Sequence, residues 1–130
     1  MDHAAESILV VGHDANFQYL MRRYASQSAY QVLFAGLGDD VFQLVHVHRP
    51  AVIILALDLS GTSPWDLLHA LKADNGTCSI PVVLCTWLEE DERALAEGAS
   101  ICLHMPAMLY DFQMALAQVG LNSQSTTSIV

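Results

Sequence analysis

One stretch of sequence constrains the fold of this chain more than any other, residues 51–61 (Ala-Val-Ile-Ile-Leu-Ala-Leu-Asp-Leu-Ser-Gly). Its first half is an unbroken apolar run that is rich in β-branched residues and follows Pro50. Such a run is typical of a strand covered on both faces, and strands of that kind occur in the middle of parallel sheets. Open parallel sheets have their functional groups just beyond the carboxyl ends of the strands. We therefore expect Ala56 and Asp58 to mark a functional edge.

The rest of the chain alternates between short apolar runs and segments with helical periodicity. Four further strands are predicted at residues 7–11, 30–35, 80–85 and 100–103, with 30–35 nearer an edge because its apolar run is less continuous. Helices are predicted from Asp14 as N-cap, from Asp39 as N-cap up to Pro50, from Ser63-Pro64 to Asn75-Gly76, from Glu89 to Gly98, and from Pro106 onward. This order predicts a flavodoxin-like, doubly wound α/β fold: a five-stranded parallel sheet in the order 2-1-3-4-5 with five helices. We expect one domain over residues 1–119 and a polar, flexible tail over 120–130.

Composition excludes several classes of partner. Fourteen acidic residues against five basic ones give a net charge of −9, which disfavours binding to nucleic acid and to anionic membrane surfaces. No apolar run approaches the ~18 residues of a membrane span, and the start of the chain has no signal-peptide character, so a cytoplasmic location is expected. The three cysteines have no disulfide or zinc spacing, and Cys85 and Cys102 are predicted to be buried thiols rather than a redox pair.

Several motifs together resemble the receiver domain of bacterial two-component response regulators. They are Ile-Leu-Val-Val at 8–11, the apolar strand that leads into Asp58-Leu59-Ser60-Gly61, Ile-Pro-Val-Val-Leu-Cys-Thr at 80–86, and Gly98-Ala99 followed by Pro106. The resemblance covers residues 7–119 and implies a signalling role. It also implies a phosphorylated aspartate at the end of strand three, two acidic residues after strand one, a threonine or serine, and a lysine. In such a site the carboxylates hold Mg²⁺, and the metal and the lysine neutralise the phosphoryl charge.

At nearly every one of these positions the chain departs from the receiver pattern. Ala56 replaces the phosphoacceptor, Gly12 and His13 replace the acidic pair, and Met105 replaces the lysine. Cys102 stands where an aromatic residue is usual, and Trp87 where a small one is. A register in which Asp58 becomes the acceptor would misplace Gly61, so Asp58 is expected in the following loop. We interpret the chain as a degenerate receiver whose former pocket comprises Gly12, His13, Asp14, Ala56, Asp58, Thr86, Trp87 and Met105, with Thr86 as its matching member.

Two functional hypotheses follow. The first is a non-enzymatic, cofactor-free signalling module that acts, without phosphorylation, through protein–protein contact. The resemblance places that contact on helix 4, strand 5 and helix 5 (residues 88–97 and 100–119), with a homodimer left open. The alternative is a small-ligand or metal sensor that uses His13, Asp58 and His104, although no local ligand spacing supports a metal. An enzyme has least support, because nucleotide-binding and nucleophile motifs are absent from the sequence.

The large apolar pair Trp87 and Leu88 follows the fourth strand directly. It either plugs the former phosphate pocket or contributes to a partner surface. The plug is the favoured interpretation, because Gly12 and Ala56 leave volume that protein interiors normally fill.

Overall fold

The structure is a computed structural model, and it describes residues 7–12, 14–27, 30–35, 40–56, 64–86, 91–105 and 108–119. Strands and helices alternate through this part of the chain. In order they are β1 (Ser7–Val11), α1 (Ala15–Ala25), β2 (Gln31–Ala35), α2 (Val41–His48), β3 (Val52–Ala56), α3 (Pro64–Ala73), β4 (Val82–Thr86), α4 (Asp91–Ala96), β5 (Ile101–His104) and α5 (Leu109–Gln118).

The strands form one parallel sheet in the order β2-β1-β3-β4-β5, as predicted. The register across the three central strands pairs Ile8 with Val52 and Ile53 with Val82. Every residue of β1, β3 and β4 is buried, which is why these segments are continuous apolar runs. The strand β2 lies at one edge with an exposed first residue and partly buried centre, so the prediction of an edge position for it is confirmed.

Two apolar layers cover the sheet, because alternate strand residues point to opposite faces. On one face the buried strand residues pack with side chains of α1 and α5, among them Phe17, Met21 and Phe112. On the other face they pack with α2, α3 and α4, among them Val45 and Leu68. Ala56 and Cys85 belong to the first face, and this places them beneath the start of α1.

The starts and ends of the helices follow local chemistry. The Oδ2 of Asp14 accepts a hydrogen bond from the Phe17 N–H at 2.9 Å, which confirms Asp14 as the N-cap of α1. The prediction of Asp39 as N-cap of α2 was wrong by one residue: Asp40 directly precedes the first helical residue, and its Oδ1 accepts from Gln43 N–H at 3.1 Å. Arg49, in the left-handed conformation at φ 49°, ends α2 just before Pro50.

Other predicted boundaries lie outside the described residues, namely the Ser63 cap, the start at Glu89, Pro106 and the tail over 120–130. Where the structure can be compared, α4 begins at Asp91 and α5 at Leu109. No helix in the described ranges is long and apolar enough to cross a membrane.

Cys85 and Cys102 lie on opposite faces of the sheet. Cys85 is buried in the layer with α1 and α5, whereas Cys102 is partly buried against the other layer. Neither cysteine forms a disulfide bond. Their positions on opposite faces agree with the prediction that they are not a redox pair. The prediction that both are buried is confirmed for Cys85 and was wrong for Cys102, which is only partly buried because β5 is an edge strand.

Candidate functional site

The carboxyl ends of four neighbouring strands meet at one edge of the sheet. In the strand register Ala56 lies beside Cys85, and Thr86 lies beside His104. Val11 pairs with Leu55, so the next residues, Gly12 and Ala56, are also adjacent, and Met105 N–H donates to the Thr86 carbonyl at 2.8 Å. The described members of the predicted pocket are therefore neighbours along this edge.

A cavity of about 300 Å³ opens at this edge, between the strand ends and the start of α1. The described residues that line it are Asp14, Asn16, Phe17, Leu20, Ala56, Cys85 and Met105. Three of these, Asp14, Ala56 and Met105, were predicted as pocket residues. Two more, Gly12 and Thr86, lie at the same strand ends but are not among the residues that line the cavity. The other three, His13, Asp58 and Trp87, lie outside the described part of the chain, as does Leu88, so the plug hypothesis stays a prediction.

Sequence reasoning missed four of the lining residues, Asn16, Phe17, Leu20 and Cys85. In the sequence, Phe17 and Leu20 share one face of the helix that follows Asp14, but this periodicity does not place them at the strand ends. Pairing of the third and fourth strands was also predicted, and it places Cys85 beside Ala56. Both signals were present, but combining them requires the position of α1 above the sheet.

The contact among Gly12, Phe17 and Ala56 determines the shape of the pocket. A Cβ atom placed on Gly12 would lie 2.9 Å from both Cδ2 and Cε2 of Phe17 and 3.1 Å from Cβ of Ala56. Ordinary carbon–carbon contacts are about 3.5–4.0 Å, so the ring of Phe17 occupies the space that a side chain at position 12 needs. A side chain at position 12 and the phenyl ring at position 17 would therefore compete for the same space.

Most of the described residues in the pocket wall are apolar. Ala56 is 3 % exposed, and Met105 is 8 % exposed with its thioether in the same buried layer as Phe17. Thr86 is buried at the end of β4, whereas His104 is exposed at the end of β5.

The described lining residues contribute a single carboxylate, that of Asp14, and its Oδ2 is already engaged as the helix cap. No cluster of three or more histidine, cysteine, aspartate or glutamate side chains that would bind a metal exists among the residues with described positions. Of the three ligands in the metal-sensor hypothesis, only His104 has a described position, and it does not lie in the cavity wall.

Comparison with known proteins connects this geometry to a fold. Neither a family model nor a curated protein sequence matches the chain. Among solved structures, the chemotaxis response regulator CheY4 of Vibrio cholerae superposes with a TM-score of 0.79 at 18 % identity, over 89 % of this chain and 99 % of that one. The signal receiver domain of a DNA-binding response regulator from Colwellia psychrerythraea gives 0.79 at 24 % identity, over 88 % and 97 %.

A third structure, the signal receiver domain of a signal transduction histidine kinase from Syntrophus aciditrophicus, gives a TM-score of 0.79 at 22 % identity and covers 97 % of this chain and 98 % of that one. This chain therefore has the flavodoxin-like fold of response-regulator receiver domains. The strand order β2-β1-β3-β4-β5 agrees with that assignment.

Proposed function

We propose that this chain is a receiver-like signalling module that accepts no phosphoryl group and acts by binding another protein. The receiver fold supports the signalling role. One observation supports the loss of phosphorylation above all: Ala56, which we assign to the acceptor position, is buried beside Gly12 in the same apolar layer as Phe17. A methyl group there has no nucleophilic oxygen.

The chemistry of phosphoryl transfer requires more than the acceptor. Metal ions and cationic side chains must offset the charge of the transferring group, and Mg²⁺ prefers oxygen ligands. Gly12 offers no side-chain oxygen and the thioether of Met105 has no charge. The module proposed here therefore neither undergoes nor catalyses phosphoryl transfer, and it needs no cofactor.

The proposed partner surface comprises α4, β5 and α5. Large apolar side chains are exposed on both helices: Leu95 on α4 is 57 % exposed, and Tyr110 on α5 is 68 % exposed. Met108, which directly precedes α5, and Met114 on α5 are exposed as well. Tyrosine and methionine are enriched in protein interfaces relative to the rest of protein surfaces. The proposed partner is a protein, and a second copy of this chain is one candidate.

The loss of phosphorylation is tested by incubating the chain with acetyl phosphate and Mg²⁺ and measuring its intact mass. We expect no gain of a phosphoryl group, and a gain on a carboxylate at this edge would contradict the proposal. Self-association is tested by sedimentation equilibrium of the wild type, of Tyr110→Ser and of the matched control Tyr19→Ser, whose tyrosine is 59 % exposed on α1. A dimer that only Tyr110→Ser weakens would identify the partner as a second copy.

A further inference from the structure

We propose that the cavity at the carboxyl edge of the sheet is a binding site for a small, uncharged aromatic molecule with one hydrogen-bond donor, of the size of indole. This goes beyond the proposed protein–protein function and does not depend on it, and it is the alternative to the interpretation in which Trp87 and Leu88 fill the former phosphate pocket. The proposal rests on the size of the cavity, the chemistry of its walls and the charge at its rim.

The size of the cavity fits a ligand of one or two rings. Its volume is about 300 Å³. An apolar cavity of roughly 150 Å³ accommodates benzene, and ligand pockets in proteins begin at roughly 300 Å³. A bicyclic aromatic molecule therefore fits, whereas a nucleotide or a peptide does not.

The walls offer the contacts that aromatic rings prefer. Phe17 supplies a ring, Leu20 and Ala56 supply aliphatic surface, and Cys85 and Met105 supply sulfur. Offset or edge-to-face ring contacts and sulfur–aromatic contacts each contribute favourably beyond the area that they bury. A polar or ionic ligand would leave its groups unpaired against these walls, at a cost in free energy.

The rim selects against anions and favours a donor. Asp14 and Asn16 line the cavity and are exposed to solvent. The carboxylate of Asp14 retains acceptor capacity after its bond to the Phe17 N–H, because two carboxylate oxygens together accept about four hydrogen bonds. A negative rim on a chain with net charge −9 repels carboxylates and phosphates, so the ligand is neutral and its N–H or O–H faces the rim.

The first test is a titration of the full ¹⁵N-labelled chain with indole, followed by amide chemical shifts. We expect saturable shifts at Leu20, Ala56, Cys85 and Met105, and at least tenfold weaker binding of indole-3-acetate, which is an anion of similar shape. Leu20→Phe narrows the cavity and should weaken indole binding tenfold or more. Its matched control, Leu44→Phe, adds the same volume to α2 on the opposite face of the sheet and should leave binding unchanged.

A second test uses the wild type alone, so that it does not depend on the folding of a variant. Methyl methanethiosulfonate converts a thiol to a mixed disulfide and releases methanesulfinate, and peptide mass mapping follows each cysteine separately. Indole should slow the modification of Cys85 at least fivefold, while the exposed Cys78 reacts at an unchanged rate. No shifts at the cavity amides, equal effects of the two Leu→Phe changes, or equal protection of both cysteines would overturn the proposal.

Discussion

On the proposal that Ala56 stands at the phosphoacceptor position, Ala56→Asp would supply that acceptor, and we expect it to destabilise the fold without giving phosphorylation. Ala56 is 3 % exposed, and its neighbours in the same layer include Phe17, Cys85 and Met105. Gly12 provides no side-chain carboxylate for a metal, and the carboxylate of Asp14 serves as the cap of α1. The described residues that line the cavity include no cation, so the new carboxyl group would be buried without a positive partner among them.

The size of the effect follows from desolvation. Burying a polar group without a partner costs about 1–3 kcal/mol in proteins. Burial disfavours the charged form, so the pKa of the new carboxyl group in the folded state lies above its unfolded value of ~3.9. Each unit of difference corresponds to ~1.4 kcal/mol. The electrostatic part of the cost is absent below pH ~3.9, grows as the pH rises through the unfolded pKa, and levels off above the folded pKa.

Urea unfolding of Ala56→Asp across pH, with Ala56→Asn as the matched uncharged control, measures this penalty. Both variants should be destabilised at low pH by the polar group, and only Ala56→Asp should lose a further 1–3 kcal/mol or so as the carboxyl group ionises. In parallel, acetyl phosphate and Mg²⁺ should add no phosphoryl group to Ala56→Asp. A pH-independent difference between the variants would refute the desolvation argument, and phosphorylation would show that a single substitution silenced an otherwise competent site.

Three further predictions concern the packing around this edge and the turn after α3. Gly12→Ala should lower the free energy of unfolding by about 1–3 kcal/mol through the clash with the Phe17 ring, and a Phe17→Leu background should relieve part of that loss. Equal urea midpoints for the wild type and Gly12→Ala would contradict this prediction. Thr77 is buried and its Oγ1 donates to the Leu71 carbonyl, so Thr77→Val should cost about 1–3 kcal/mol and Thr77→Ser markedly less, by thermal or urea unfolding. Desolvation lowers the pKa of Lys72 in the folded state below its ordinary value of 10.5, so the folded protein releases this proton at a lower pH than the unfolded chain does. The free energy of unfolding of the wild type relative to that of Lys72→Met should therefore rise as the pH increases through the folded pKa toward 10.5. A difference between the two proteins that does not change with pH would contradict this.

The fold was predictable because each of its main determinants is local in the sequence. Continuous apolar runs distinguish strands covered on both faces, and the change to helical periodicity after Asp14 marks the first crossover. The error at α2 shows the limit of such local signals. Asp39 and Asp40 are adjacent and equally good caps by residue type, and only the observed start of the helix at Val41 distinguishes them.

The site was predictable only in part, because its decisive contact is long-range. The positions of Gly12, Ala56 and Met105 at the strand ends follow from the order of the elements. The approach of the Phe17 ring to Gly12 depends on how α1 lies over the sheet, and periodicity does not specify that distance. Cys85 was predicted as a buried thiol, yet its place in the cavity wall appears only when the register with Ala56 is combined with the position of α1.

The central claim, that this receiver fold does not respond to phosphorylation, is tested most directly by amide chemical shifts with Mg²⁺ and beryllofluoride. Beryllofluoride mimics a phosphoryl group on an aspartate and needs a metal-binding acidic pocket to be held. We predict that the ¹⁵N spectrum of the wild type is unchanged by Mg²⁺ alone and by Mg²⁺ with beryllofluoride, because the described pocket has a methyl group at Ala56 and no charge at Met105. Saturable shift changes clustered on Ala56, Thr86 and Met105 would contradict the claim.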